Sequence, residues 1–165
     1  MRICLVVPYD LADEGGVKRH AVHLARCLRQ RGDAVTVIGP LSRGKASPGM
    51  QGFGGVVNVF ANGASNYMAL FTPPWEVRRF FREHDFDVVH VHEPFVPMLT
   101  YYALWLSPRA AHVATFHMYA EKVSGGWSLL RKLLGRLLHD SIDRTIAVSG
   151  PAESFARRFW PTPAT

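Results

Sequence analysis

The chain has 165 residues, of which 48% are hydrophobic and 19% charged, and its formal net charge is +6 at pH 7. This length and composition fit one globular domain and exclude general disorder, and no apolar run approaches the roughly 20 residues that a membrane-spanning helix needs. The basic charge permits anionic partners, but no nucleic-acid-binding motif is present, so we expect no nucleic-acid partner.

The first forty residues predict a β-α-β unit. The apolar run over 1–8, which Pro8 ends, predicts a strand buried on both faces. Apolar residues at helical spacing over 16–31, with arginines in the last turns before Gly32, predict a helix. Residues 33–40 predict the second strand. Because the connections are short, the two strands should be parallel and joined by a right-handed crossover.

The alternation of strands and helices continues after a Gly-rich and Ser-rich loop over 41–55. We predict four further strands, at 56–60, 87–91, 112–116 and 144–148. We predict four further helices, at 74–84, 98–106, 127–139 and 154–160. Six strands alternating with helices in one domain indicate an α/β fold with a doubly wound, Rossmann-like parallel sheet.

Polar residues and glycines follow most of the predicted strands, at the edge where ligands of such sheets bind. These segments are Tyr9 with Gly15-Gly16, residues 62–65, residues 92–94, His117, and Ser149-Gly150. The strands themselves are apolar, so the polar groups are concentrated at this edge. We therefore predict a ligand site there.

Gly15 and Gly16 open the predicted first helix. The amides and dipole of a helix N-terminus attract anions, and glycine lets a phosphate approach the backbone closely. A tight turn would explain the same two residues equally well. Neither G-x-G-x-x-G nor the Walker pattern is present, which argues against a nicotinamide dehydrogenase and a P-loop nucleotidase.

Two groups of histidines could carry chemistry. His90 and His92 share one face of a predicted strand and could ligate a metal ion together with Glu93, but no further ligand has convincing spacing, so we predict no metal site. His117 follows the fifth strand at the predicted ligand edge. A histidine there can donate to a substrate oxygen or shuttle a proton, and a packed histidine at a strand end is the alternative.

The predicted helix at 127–139 is amphipathic, with Trp and Leu on one half and Arg131, Lys132 and Arg136 on the other. Such a pattern is typical of a crossover helix that packs on a sheet and also of a helix at a membrane surface. We expect the leucines to join the core. The cationic half, with Lys122 nearby, would then be available to anionic lipid.

Five segments in order resemble the amino-terminal half of family 4 glycosyltransferases, which have the two-domain GT-B fold. They are MRICLVVPY at 1–9, GGVKRH at 15–20, FDVVHVHEP at 86–94, VATFH at 113–117 and IAVS at 146–149. Within the family the likeness is greatest to enzymes that mannosylate an inositol lipid. The resemblance implies a retaining transferase that moves a sugar, with GDP-mannose as the expected donor, to a lipid-linked or glycan hydroxyl.

The resemblance also implies roles for individual residues. Gly15 and Gly16 would bind the donor diphosphate, and His117 would be the catalytic residue. Four positions match the pocket for the acceptor headgroup: Tyr9, Lys18, Asn62 and Lys122. Lys18 replaces a glutamine of the inositol-lipid enzymes, and residues 64–68 lack the basic residue found there, so a different acceptor headgroup stays open.

By the same resemblance, residues 1–165 would form the N-terminal, acceptor-side domain of a longer protein, without its donor-binding domain. We expect no sugar transfer by this chain alone and no cofactor. Two cysteines without a metal spacing fit the reducing cytoplasm, and the expected location is cytoplasmic or peripheral at the inner face of the cell membrane. Alternatives are a non-catalytic Rossmann-like module that binds a lipid headgroup or glycan, and a transferase with a soluble or lipopolysaccharide acceptor.

Overall fold

The computed structural model describes residues 1–61, 64–96, 98–119 and 125–159. The strands in these ranges are β1 (Arg2–Val6), β2 (Ala34–Gly39), β3 (Met50–Gly52), β4 (Gly55–Ala61), β5 (Ala64–Phe71), β6 (Val88–His92), β7 (Ala111–Phe116) and β8 (Arg144–Ala147). The helices are α1 (Gly16–Gln30), α2 (Pro74–Glu83), α3 (Leu99–Leu106), α4 (Gly125–His139) and α5 (Gly150–Arg157).

Six of these strands form one parallel sheet in the order β3-β2-β1-β6-β7-β8. The chain moves outward from β1 to β2 and β3, and then returns to the other side of β1 with β6. The strand order therefore reverses between β1 and β6, which is the point where ligands bind in open sheets of this kind. The predicted α/β class with a doubly wound parallel sheet is confirmed.

The third predicted strand lies in a different sheet from the one expected. Residues 56–60 do lie in a strand, β4, but β4 pairs antiparallel with β5 in a separate two-stranded sheet. The sixth place in the parallel sheet belongs to β3, which lies inside the predicted loop at 41–55. Three residues, Met-Gln-Gly, are too few to show a strand periodicity, so the loop prediction was wrong at this point.

The apolar run at the start of the chain is explained by two cores on opposite faces of the sheet. Ile3, Leu5 and Val7 face α1 and pack with Ala21 and Ala25 of that helix. Cys4 and Val6 face the other way, into a larger core that contains aromatic residues of α2 and α5. Successive side chains of a strand point to opposite faces, so a strand covered on both sides reads as continuously apolar.

Most leucines of α4 lie outside the core, which corrects the expectation from their spacing. Leu129, Leu133 and Leu137 are 72%, 53% and 60% exposed, whereas Leu138 is buried. A Cβ on Gly135 would collide with the carbonyl oxygen of Phe159. The helix therefore packs through Gly135, Leu138 and the partly buried Leu134, and this close approach turns most of the leucines outward.

In the described segments, no helix is both long enough and apolar enough to cross a membrane.

Candidate functional site

The structure brings four of the predicted site residues together at the carboxyl end of β1. Tyr9, Gly15, Gly16 and Lys18 line a cavity of about 150 Å³. Tyr67 of β5 also lines the cavity, so the β4-β5 hairpin forms one of its walls. The sequence analysis did not single out Tyr67, because it placed the hairpin residues after a strand of the main sheet.

Gly15 and Gly16 leave the start of α1 open. Gly15 is the N-cap residue in an extended conformation, no side chain caps the helix, and no acidic residue lies in the first turn. A Cβ on either glycine would meet nothing within 4 Å. The first backbone amides of α1 are therefore accessible to a ligand, and both the amides and the helix dipole favour an anion.

The side chain of Lys18 is folded back over the loop before α1. Its ammonium donates a hydrogen bond to the carbonyl of Asp13 at 2.9 Å and lies 3.6 Å from the carboxylate of Glu14. The ammonium is well shielded from solvent, with a side chain 15% exposed. Lys18 thus supplies positive charge to the cavity wall from a position that its own loop fixes.

Asp10 fastens the loop that carries these residues. Its carboxylate accepts hydrogen bonds from the backbone of Ala12 and Ser42, each at 3.0 Å, and from the Ser42 hydroxyl. Its backbone amide donates to the carbonyl of Tyr67 at 3.0 Å. Burial alone would raise the pKa of Asp10, but these hydrogen bonds and the charge of Arg43 outweigh it and lower that pKa. The ionised carboxylate therefore ties the loop to its neighbours.

Histidines from two neighbouring strands meet at the carboxyl ends of β6 and β7. Nδ1 of His92 lies 2.9 Å from Nε2 of His117, and the backbone amide of His117 donates to the buried carboxylate of Glu93 at 2.5 Å. Glu93 has a φ of +53°, in the left-handed region that residues with a side chain seldom adopt. This unusual turn at the end of β6 brings its carboxylate under the loop that carries His117.

These histidines are held in the neutral form. Burial, followed by the charge of nearby His20, lowers the pKa of His117 to about 4, and burial likewise lowers that of His90 to about 4. Burial also holds the pKa of His92 well below its usual value. At neutral pH the cluster therefore presents uncharged imidazoles, each with one donor and one acceptor nitrogen.

The cluster differs from the metal-ligand set considered from the sequence. His90 instead pairs with the Thr115 hydroxyl at 2.6 Å, and Glu93 holds the backbone of His117. His20 of α1 joins the group: its ring lies 4.9 Å from that of His117, and nitrogens of His20, His92 and His117 all lie within 4.8 Å of one another. Imidazole nitrogens at this spacing could hold a divalent transition-metal ion. The absence of a metal stays a prediction.

An open groove along α1 reaches from Gly16 to His20, a member of the histidine cluster. The groove has a volume of about 640 Å³, and its lining includes Gly16, Lys18, Arg19, His20 and Arg26. His20 is one of the lining residues, and its ring contacts that of His117. The groove is mainly cationic, because its lining carries Lys18, Arg19 and Arg26 against the single acidic residue Glu14, and it meets the histidine cluster at His20.

Asn62 and Lys122, the other two residues predicted to bind an acceptor, lie outside the described residues. Their roles therefore stay predictions.

Comparisons with known proteins agree on one family. The profile described as Glycosyltransferase Family 4 matches residues 14–165. A phosphatidyl-myo-inositol mannosyltransferase of Propionibacterium freudenreichii subsp. shermanii is 31% identical over 96% of this chain and 43% of its own length. A protein of the same name from Mycobacterium tuberculosis is 35% identical over 90% of this chain and 39% of its own length. The chain thus spans about two fifths of the length of these curated relatives.

A solved structure supports the fold. An alpha-glucosyltransferase in complex with UDP superposes with a TM-score of 0.58 and 14% identity, over all of this chain and 40% of the other. It is a glycosyltransferase of the GT-B type. At this identity the likeness concerns the arrangement of strands and helices.

Proposed function

Because this chain belongs to glycosyltransferase family 4, we propose that it is the acceptor-side domain of a retaining glycosyltransferase. In this proposal the whole protein moves a sugar from a nucleoside-diphosphate sugar to a lipid-linked or glycan hydroxyl. One observation carries it: the open, mainly cationic groove along α1 runs from an uncapped helix start to His20, which belongs to the histidine cluster. The uncapped helix start suits a diphosphate, and the histidines suit the hydroxyls of a sugar.

The donor diphosphate would lie against the start of α1. The backbone amides at Gly16 point out of the helix, and the missing Cβ leaves room for phosphate oxygens. Arg19 and Arg26 add positive charge along the groove. GDP-mannose is the donor we expect, since the similar proteins are named mannosyltransferases. A uridine nucleotide is the alternative, because UDP is bound in the superposed structure.

His117 would contact the transferring sugar and the acceptor hydroxyl. In the reaction we propose, the bond from the anomeric carbon to the diphosphate breaks, and the acceptor oxygen bonds to that carbon on the same face. The hydroxyl proton passes to the departing diphosphate oxygen. The chain would contribute orientation and electrostatic stabilisation, and no covalent intermediate on a side chain is needed.

The acceptor headgroup would occupy the small cavity beside the glycines. Tyr9 and Tyr67 are aromatic residues of its lining, and Lys18 adds a cation. A phosphate in the headgroup would gain from the Lys18 ammonium, because charge-assisted hydrogen bonds are the stronger ones. Asn62 and Lys122 are expected to complete this pocket, as the family resemblance implies.

The exposed leucines of α4 support a peripheral contact with anionic lipid. Leu129, Leu133 and Leu137 are exposed beside Lys132 and Arg136, so one surface offers apolar side chains and positive charge together. A helix with this combination binds at the boundary between headgroups and acyl chains, and each cation adds about 1 kcal/mol near an anionic surface. The acceptor would then be reached at the inner face of the cell membrane.

Vesicle flotation tests the lipid contact. The native protein that carries this chain should bind vesicles rich in anionic phospholipid, and replacing both Lys132 and Arg136 by Glu should weaken binding by at least about tenfold. The control is Arg144→Glu with Arg31→Glu, which changes the net charge equally away from α4. Equal loss in both variants would show that net charge alone acts, and unchanged binding in the α4 variant would refute the contact.

An assay of sugar transfer tests the function itself. The native protein is incubated with GDP-mannose or UDP-glucose and with phosphatidylinositol vesicles, lipopolysaccharide or a soluble glycan. We expect mannose on the inositol lipid. Transfer to another acceptor would keep the transferase and change the substrate. Saturable headgroup binding without transfer from any donor would favour the non-catalytic binding module.

A further inference from the structure

His92 has two ring nitrogens in very different surroundings. Its side chain is fully buried at the end of β6, and Nδ1 lies 2.9 Å from Nε2 of His117. Its own Nε2 has no hydrogen-bond partner within the described part of the chain. The contact between the two imidazoles therefore contains one proton, and its position decides which tautomer each histidine adopts.

Two arrangements of that proton are possible, and they differ in what is left unpaired. If His117 donated from Nε2, neutral His92 would carry its own proton on Nε2 and bury an N–H group without an acceptor. Such orphaned donors are rare, because a buried polar group without a partner destabilises the folded state. If His92 donates from Nδ1, its unpaired Nε2 carries no proton. Burying this unpaired acceptor destabilises the fold less than burying an unpaired N–H group. The second arrangement is favoured.

The consequence for His117 follows from its neutral state. With Nε2 accepting the proton of His92, neutral His117 must carry its own proton on Nδ1. No hydrogen-bond partner for Nδ1 occurs among the residues that the structure describes. The backbone amide of His117 donates to the Glu93 carboxylate, and the amide of Glu93 donates to the carbonyl of Thr115 at 2.8 Å. These two hydrogen bonds fix the backbone that carries the His117 ring.

We infer that His92 is a positioning residue that holds His117 as its Nδ1–H tautomer, so that His117 acts on the ligand as a hydrogen-bond donor and not as a general base. The ligand atom that this donor fits is an oxygen with a free lone pair, as on a sugar hydroxyl or a phosphate. The catalytic role given to His117 here rests on the proposed function, whereas the assignment of its tautomer does not.

Nitrogen-15 NMR of the histidine rings at pH 7 tests the tautomer directly. Long-range ¹H–¹⁵N spectra of the 165-residue chain should show His117 protonated on Nδ1. His92→Leu, which keeps the volume but removes the donor, should move His117 towards the Nε2–H form that free histidine prefers. His92→Asn should preserve the Nδ1–H form, because its amide nitrogen takes the place of Nδ1. An Nε2–H signal for His117 in the wild type would overturn the inference.

Two further measurements separate positioning from simple support of the fold. His112→Leu removes another buried histidine of the neighbouring strand, one that pairs with Ser141 instead, and should leave the His117 tautomer unchanged.

In the native protein, His92→Leu should lower kcat about tenfold, the worth of one hydrogen bond, with little change in the donor KM. His92→Asn should restore most of it. A shifted tautomer with unchanged kcat would retain the tautomer assignment but refute its catalytic role. A lowered kcat with an unchanged tautomer would overturn the inference and leave the proposed function standing.

Discussion

The two ends of the groove along α1 are built in opposite ways. At the glycine end the accessible groups belong to the backbone, no side chain covers them, and the loop is held from behind by Asp10. At the histidine end the groups are side chains that buried strands hold in one orientation and keep neutral. The first design suits binding of a charged group of variable shape. The second suits an interaction in which the direction of one proton matters.

The histidine end should show the larger effect on turnover. His117→Ala in the native protein should lower kcat by about 10²- to 10³-fold, the range for losing one positioned hydrogen-bond donor in an active site. The measurement is sugar transfer at saturating donor and acceptor. His84→Ala, which removes an imidazole that stacks on Phe80, is the control and should retain activity. Activity of His117→Ala within about threefold of wild type would show that the histidine end does not act in the reaction.

The same end should make the chain sensitive to acid. The pKa of His90 falls from 6.5 to about 4 in the folded state, so the unfolded chain binds more protons between these values. The contribution of His90 to the free energy of unfolding should therefore be complete above pH 6.5. It should be lost as the pH falls towards 4, which amounts to about 3 kcal/mol for His90 alone. Urea denaturation across this range measures it.

His90→Leu is the variant that isolates this contribution. It removes one buried imidazole, so its free energy of unfolding should fall less steeply with decreasing pH than that of the wild type. Identical slopes would mean that His90 titrates alike in both states. That result would remove the claim that the strands hold these histidines neutral.

The glycine end should affect binding of the donor rather than the rate of transfer. Gly16→Ala should raise the donor Kd about tenfold, because its Cβ would occupy the space of a phosphate oxygen. The fold should be unaffected, since that Cβ would meet no protein atom within 4 Å. Gly55→Ala is the control: it lies at the start of β4, away from α1, and its Cβ would also meet no atom within 4 Å. Equal Kd changes in both variants, or no change in Gly16→Ala, would contradict the proposal that the donor diphosphate binds at the start of α1.

The fold class was predictable because its signals are local. Buried parallel strands appear as short apolar runs, and the amphipathic helices between them appear as a 3.6-residue repeat. The hairpin was missed although a signal was present: Asn62-Gly63 between two β-prone runs is typical of a hairpin connection. The short strand β3 has no such signal, because its pairing with β2 depends on the neighbouring sheet.

The site was predictable in part for the same reason. Gly15, Gly16 and His117 follow from their positions after predicted strands, and the structure brings the glycines together with Tyr9 and Lys18 in one cavity. His20 and Tyr67 were missed because they reach the site from α1 and β5 across the tertiary structure. The leucines of α4 were misassigned because Gly135 sets the side on which that helix packs. No periodicity in the sequence encodes such a close backbone approach.

The most direct test of the account is the anomeric configuration of the transferred sugar. The native protein is given GDP-mannose and a phosphatidylinositol membrane, and proton NMR of the product reports the configuration of the new bond. We predict transfer with retention, so the α-linked mannose of the donor appears as α-mannose on the lipid. Transfer with inversion, or no transfer from any nucleoside-diphosphate sugar to any acceptor, would contradict the proposal that this chain is one half of a retaining glycosyltransferase.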